Sequence, residues 1–154
     1  MIVVERVAAD DDLQTLVDEI NSALWDDANE ISSYAADALA AYLGRADTVF
    51  VACHEHNAGT QTLLGIASAR IEMKPYEYAL WLYVDEVDVC ADQRQRGAGK
   101  ALMTKLLEIA EASGCEEVWL GTEADNQPAN ALYRALNPDD VAAVVGYTFE
   151  TDED

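Results

Sequence analysis

The stretch Gln93-Arg94-Gln95-Arg96-Gly97-Ala98-Gly99-Lys100 decides how the rest of the chain is read. Before it, Leu80 to Val89 alternates around aromatic and β-branched residues, as a strand does. After it, Ala98, Ala101, Leu102, Leu106, Ile109 and Ala110 recur at helical spacing, and Gly114 closes the run. The segment is therefore a strand, a glycine loop and a helix start. Glycines let a backbone approach a ligand closely. A helix start offers unpaired N–H groups and a partial positive charge, which suits a pyrophosphate.

Two familiar phosphate motifs fail on spelling. A P-loop needs glycine where Arg94 stands and a hydroxyl residue where Ala101 stands. A dinucleotide fingerprint needs a third glycine where Leu102 stands.

Charge sharpens the loop reading. The 154 residues carry 9 Lys and Arg against 30 Asp and Glu, a net charge of −21. Such a surface repels phosphate backbones, so no nucleic-acid partner is expected. Yet Arg94, Arg96, Lys100 and Lys105 all fall within residues 94–105. A random spread of the cations would place fewer than one there. An anionic ligand at the helix start is the simplest cause. Elsewhere acid runs along the whole chain, and the only lysines are Lys74, Lys100 and Lys105. That pattern is expected of a halophilic protein in a salt-loaded cytoplasm, where a Debye length of ~3 Å at 1 M screens self-repulsion. Selection of a cationic substrate is the second reading of the same acid.

Other function classes fall away. No run reaches the ~18 apolar residues a membrane span needs, and the start Met1-Ile2-Val3-Val4-Glu5-Arg6 does not read as a signal peptide. The expected location is cytoplasmic, with no membrane partner. Cys53, Cys90 and Cys115 are odd in number and widely spaced, which argues against a disulfide framework and a zinc site. Cys53-His54-Glu55-His56 holds both histidines, but it reads as a solvated strand exit, and no metal is expected.

Working outward, Ile2 to Val7 reads as a strand and Asp10, Asp11 or Asp12 as the cap of a helix carrying Leu13, Leu16, Val17, Ile20 and Leu24. An acidic loop, Trp25 to Glu30, leads to a second helix over Ile31 to Leu43, stopped by Gly44. Thr48 to Cys53 and Leu63 to Met73 form a hairpin about Asn57-Ala58-Gly59-Thr60, and Pro75 ends it. Beyond the Gly97 to Ser113 helix come a short strand, Glu117 to Gly121, a helix from Pro128 to about Leu136, and a final strand, Val141 to Phe149. The order β-α-α-β-β-β-α-β-α-β predicts an α+β fold with a mixed sheet. Its length and even composition predict one domain over residues 1–150, with 151–154 as an acidic tail.

Arg94-Gln95-Arg96-Gly97-Ala98-Gly99 resembles the Arg/Gln-x-x-Gly-x-Gly/Ala acyl-CoA loop of the GNAT superfamily of N-acetyltransferases. Roughly thirty residues on, Asn126-Gln127-Pro128-Ala129-Asn130-Ala131-Leu132-Tyr133 resembles that superfamily's second motif, Asn-x-x-Ala-x-x-Leu-Tyr. The element order fits too, over nearly the full chain. Within the superfamily, Tyr42-Leu43-Gly44, Leu64-Gly65-Ile66-Ala67, Lys74-Pro75-Tyr76-Glu77, Tyr83 to Gly99 and Glu123 to Tyr133 are most similar to aminoglycoside 3-N-acetyltransferases. Three positions depart from pattern: Asn137 where many members carry glycine, Asp88 where a small apolar residue is usual, and Glu123 in place of Asp.

The resemblance implies acetyl transfer from acetyl-CoA to a primary amine by direct attack. It assigns the backbone amides of Arg96, Gly97, Ala98, Gly99 and Lys100, with the Arg94 and Arg96 side chains and Gln95, to the pyrophosphate. Val87 and Val89 would hold the pantetheine arm as a pseudo-strand, with Asn126 and Ala129 also on the cofactor. Tyr133, which also meets the cofactor, would be the general acid; spacing alone favours a core aromatic there, and the motif match reverses that.

A free alkylamine has a pKa of ~10.4, so something must take its proton. Glu123 is the first candidate base and Glu86 the second, with Asp85 and Asp88 behind them. Trp25, Asp26, Asp27, Glu30, Asp85 and Glu123 would meet a small cationic acceptor, aminoglycoside-like or polyamine-like. Trp25 to Glu30 reads equally as an ordinary acidic loop. The alternatives are a peptide or protein amine as acceptor, or a non-catalytic acyl-CoA sensor. A homodimer paired through Val141 to Phe149 is a further expectation.

Overall fold

The computed structural model describes residues 1–152. Two compact units divide it, one of Met1–Leu120 and one from Gly121 onward.

The first unit is an α+β fold built on a five-stranded mixed sheet in the order β1-β2-β3-β4-β5. The strands are β1 (Ile2–Arg6), β2 (Thr48–Asn57), β3 (Thr60–Met73), β4 (Leu80–Val89) and β5 (Cys115–Trp119). The first four pair antiparallel, and β5 pairs parallel with β4. The β2–β3 hairpin turns through Ala58 and Gly59, both at positive φ (50° and 84°), as a two-residue turn with right-handed strand twist requires.

Helices α1 (Leu13–Ser22) and α2 (Ala36–Leu43) cover one face, and α3 (Ala98–Ala112) crosses the other. Strand alternation sorts the residues. Phe50, Ala52 and Ile66 pack with Leu13, Leu16, Val17, Ile20 and Leu39. Gly65 points the opposite way. A Cβ there would lie 3.1 Å from Leu102 of α3 and 2.6 Å from the Asp88 carbonyl, so only glycine lets these elements close.

Several boundaries differ from the sequence reading. Asp12 caps α1, accepting from Thr15 N–H, and the helix ends at Ser22, leaving Leu24 exposed. Residues 31–35 are not helical: Asn21 pins Tyr34 instead, through 2.8 and 2.9 Å bonds to its backbone N–H and C=O. β2 extends through His54 and His56 because its partner β3 begins at Thr60. The expected strand Glu117 to Gly121 runs instead from Cys115 to Trp119, so Glu123 lies in coil beyond it.

The second unit contains α4 (Gln127–Ala135). The Asn126 side chain caps it by accepting from Ala129 N–H (3.2 Å), and Pro128 stands in its first turn, where a missing N–H costs nothing. No strand forms over residues 141–149 among the described residues. Val141, Val144, Val145, Tyr147 and Phe149 are all exposed. β-propensity needs a partner ladder to become a strand, and this segment has none there. Thr151 and Asp152 of the expected tail are exposed, and Glu153 and Asp154 lie outside the described residues.

Candidate active site

The site begins with an interruption in the sheet. β5 follows β4 only from Leu80 to Tyr83, ending at the pair Tyr83–Trp119. Beyond that point, Val84 to Val89 has β3 on one edge and no strand on the other among the described residues. A bulge accompanies the change: Ser68 pairs with Glu86 and Ala69 with Val84, so Asp85 is an extra residue. Bulges re-aim a strand and often border functional sites. After this one, Glu86 and Asp88 both face the α1–α2 side, while Val87 and Val89 face α3.

Next along the chain, a short 3₁₀ turn (Ala91–Gln93) leads into the glycine loop. Gln95 and Gly97 adopt positive φ, 63° and 81°; for glutamine that is uncommon, for glycine it is free. The first backbone bond of α3 runs from Ala101 N–H to the Gly97 carbonyl, 2.9 Å. The amides of Ala98, Gly99 and Lys100 therefore have no acceptor inside the helix. No side chain caps this end, and its first turn holds no acid. That donor set suits an anionic group. An open groove of about 420 Å³ continues from it, lined by Val4, Gly97, Lys100, Ala101, Thr104, Lys105 and Glu108. The two expected arginines are already engaged: Arg94 pairs with Asp26, and Arg96 with Glu55 and Gln93.

The α1–α2 segment brings the polar partners of β4. Asp26 and Asn29 close a 3₁₀ turn over Asp27–Asn29, and Asp26 N–H donates to Asn29 Oδ1 (3.0 Å). Asn29 Nδ2 then donates to Asp88 Oδ1, 2.9 Å away across 59 residues of sequence. Asp88 is only 5% exposed, and its Oδ2 is buried without a hydrogen-bond partner.

Glu86 is exposed as a residue, yet its carboxyl is pushed up to about 7. Loss of water around it is the largest cause, followed by the charge and hydrogen bond of Asp88 and the charges of Asp85 and Glu30. Burial likewise raises Asp88, against the hydrogen bonds from Asn29 and Glu86. Tyr34 lies near both acids, and its hydroxyl is pushed up to about 12 by burial and then by Glu86 and Asp88.

Other expected acceptor residues have local duties. The Trp25 indole N–H donates to the Ile20 carbonyl (2.9 Å) and its ring packs on the core. Asp85 is paired with Arg70. Asp27 is exposed, and Glu30 closes the 3₁₀ turn at positive φ. In the second unit, Glu123 is exposed, and its carbonyl accepts from Asn126 N–H and Asn130 Nδ2, both at 3.0 Å. Ala129 and Tyr133 are half-buried on α4. Asn29 and Tyr34 escaped the sequence reading, because nothing local marks a residue whose partner is a distant strand. The acid at position 88 was visible there as a departure from pattern.

The chain and its fold are similar to known proteins. Over 66 residues the chain is 46% identical to a mycothiol acetyltransferase of Clavibacter michiganensis subsp. michiganensis, covering 43% of this chain and 21% of that protein. Over 76 residues it is 28% identical to a thialysine N-epsilon-acetyltransferase of Bos taurus, covering 47% of this chain and 45% of that one. The chain thus spans about a fifth of the first relative and under half of the second. Its fold matches the crystal structure of an aminoglycoside acetyltransferase from an uncultured soil metagenomic sample, in complex with sisomicin. That match has a TM-score of 0.81 at 18% identity and covers 98% of this chain and 97% of the other. Residues 12–137 match the acetyltransferase (GNAT) family, and the chain is a member of it.

Proposed function

We propose that this protein moves an acetyl group from acetyl-CoA to a primary amine of a small cationic acceptor, aminoglycoside-like or polyamine-like, by direct attack. One observation carries the reading. The unpaired edge of β4, Val84 to Val89, adjoins a helix start with free donors, and on the same stretch it bears a carboxylate tuned to titrate near neutrality.

The α3 amides and Lys100 fit a pyrophosphate, because nothing acidic competes at that helix end. The groove toward Lys105 suits further phosphate charge. Acetyl-CoA supplies the activated acyl group when bound. The free edge of Val87 and Val89 would hold an amide-bearing arm, and its N–H groups would be donors for a carbonyl oxygen that gains charge. By the motif they match, Asn126 and Ala129 would also meet the cofactor. Glu86 is the base. Above about pH 7 its carboxylate takes the proton that the amine nitrogen must lose to attack the acetyl carbon. By the motif it matches, the Tyr133 hydroxyl would supply the proton that the departing thiolate needs. Glu86 is preferred to Glu123 because its surroundings raise its proton affinity toward that of a working base.

The acceptor's cations would meet Asp27, Glu30 and Glu86. The names of the relatives support acetyl transfer: a mycothiol acetyltransferase, a thialysine N-epsilon-acetyltransferase and, as structural neighbour, an aminoglycoside acetyltransferase, the last two naming amine acceptors. We read residues 1–150 as one acetyltransferase domain, which the span of the family match supports. We also read the −21 charge as adaptation to a salt-loaded cytoplasm. Among the described residues no helix is long and apolar enough to cross a membrane.

The test is thiol release from acetyl-CoA in molar KCl against aminoglycosides, polyamines, amino acids and short peptides. Release with a polycationic small amine is the expected result. Release only with peptides would replace the acceptor class. Acetyl-CoA binding without release from any amine would favour a sensor.

A further inference from the structure

We propose that Glu86 and Asp88 share one proton in the free enzyme, and that Asp88 is a positioning residue setting when Glu86 becomes available to the acceptor amine. This rests on the reading of Glu86 as base. Residues two apart on a strand face the same way, so the bulge at Asp85 sets these two acids side by side on the α1–α2 face. Asp88 is the one buried charged side chain among the described residues. Asn29 satisfies its Oδ1 and fixes its orientation; Oδ2 is shut from water, with the Glu86 carboxyl beside Asp88 as a group able to donate to it only when protonated. An ionised carboxylate left so is costly, and the cheapest relief is a proton.

The charged and titratable groups around the pair supply no cation to replace that proton. Asp85 precedes it on β4, Glu30 faces it from the α1–α2 segment, and Tyr34 faces it from ahead of α2. Opposite Glu86, β3 contributes only Ser68. The nearby guanidiniums are committed, Arg70 to Asp85 and Glu72, and Arg94 to Asp26. Both carboxyls accordingly hold protons more tightly than usual, and each alters the other's affinity. A proton on Glu86 aimed at Asp88 Oδ2 supplies the donor that oxygen lacks. Two carboxylates with one proton titrate as a unit, and the last proton leaves late. Glu86 is then a stronger base than an isolated surface glutamate, and remains exposed enough to reach a substrate.

The experiment is a ¹³C carboxyl NMR titration of the free enzyme in molar KCl, with E86Q and D88N assigning the two signals. In the unmutated protein the Glu86 and Asp88 signals should move together in one step near neutrality. In D88N, where Asn29 still finds an oxygen to bond, the Glu86 midpoint should fall by about one pH unit or more. The acid limb of kcat/KM should fall with it. A purely structural Asp88 would change stability but not the Glu86 midpoint. Separate titration of Asp88 in the ordinary carboxylate range, or an unmoved Glu86 midpoint in D88N, overturns the proposal. Should D88N fail to fold, co-titration in the unmutated protein decides alone. A titrating pair beside an E86Q enzyme of undiminished rate would overturn the base reading and leave the pair standing.

Discussion

The N-terminus of α3 and the acid pair on β4 are only a few residues apart in sequence, but they are built in opposite ways. The helix start is backbone chemistry: a positive-φ glycine, three free amides and an absence of acid, all within a few consecutive residues. The acid pair is side-chain chemistry. It needs a bulge whose partner is β3 and a clamp, Asn29, from 59 residues upstream. The first kind of site tolerates changes of side chain and fails when the backbone is constrained. The second fails when one atom is exchanged.

The largest effect should come from that single-atom change. E86Q removes the base and keeps the shape, so kcat should fall by about 10²- to 10⁴-fold, with acetyl-CoA affinity held. Isothermal titration beside steady-state kinetics separates the two. If E123Q produced this loss and E86Q did not, the base would lie in the second unit. Y133F should lower turnover next, by roughly 10²-fold at unchanged acetyl-CoA affinity, since only the proton donor is gone. Equal turnover would leave Tyr133 a packing residue.

G97V reverses the pattern. A β-branched residue at φ 81° is strained by about 1–3 kcal/mol. As the free loop relaxes out of that conformation, acetyl-CoA affinity should drop roughly 5- to 150-fold, while the Glu86 titration stays in place. A G97V enzyme with full affinity would show that the backbone cradle matters little.

The same contrast explains what the sequence made legible. The glycine loop, the β2–β3 hairpin and the Pro128 start of α4 are local, and their residues announce themselves through turn, helix-start and periodicity rules. The interrupted β4–β5 ladder was not legible, because pairing depends on both strands. Nor was the role of Asn29, which reads as one polar residue in an acidic loop. Propensity misled at Val141 to Phe149, where strand-forming residues meet no partner ladder among the described residues. It misled again at Ile31 to Ala35, where the bonds between Asn21 and Tyr34 override helical spacing. Glu123 ranked above Glu86 by motif position. The neighbouring charges that distinguish them appear only once the α1–α2 segment lies beside β4.

The most direct test of the central claim, that Glu86 on the unpaired edge of β4 is the base, is the pH dependence of kcat/KM for the unmutated enzyme and E86Q in molar KCl. Activity should rise as pH increases through about 7, where Glu86 loses its proton, and this limb should disappear in E86Q. An E86Q enzyme that keeps both the limb and the rate would contradict it.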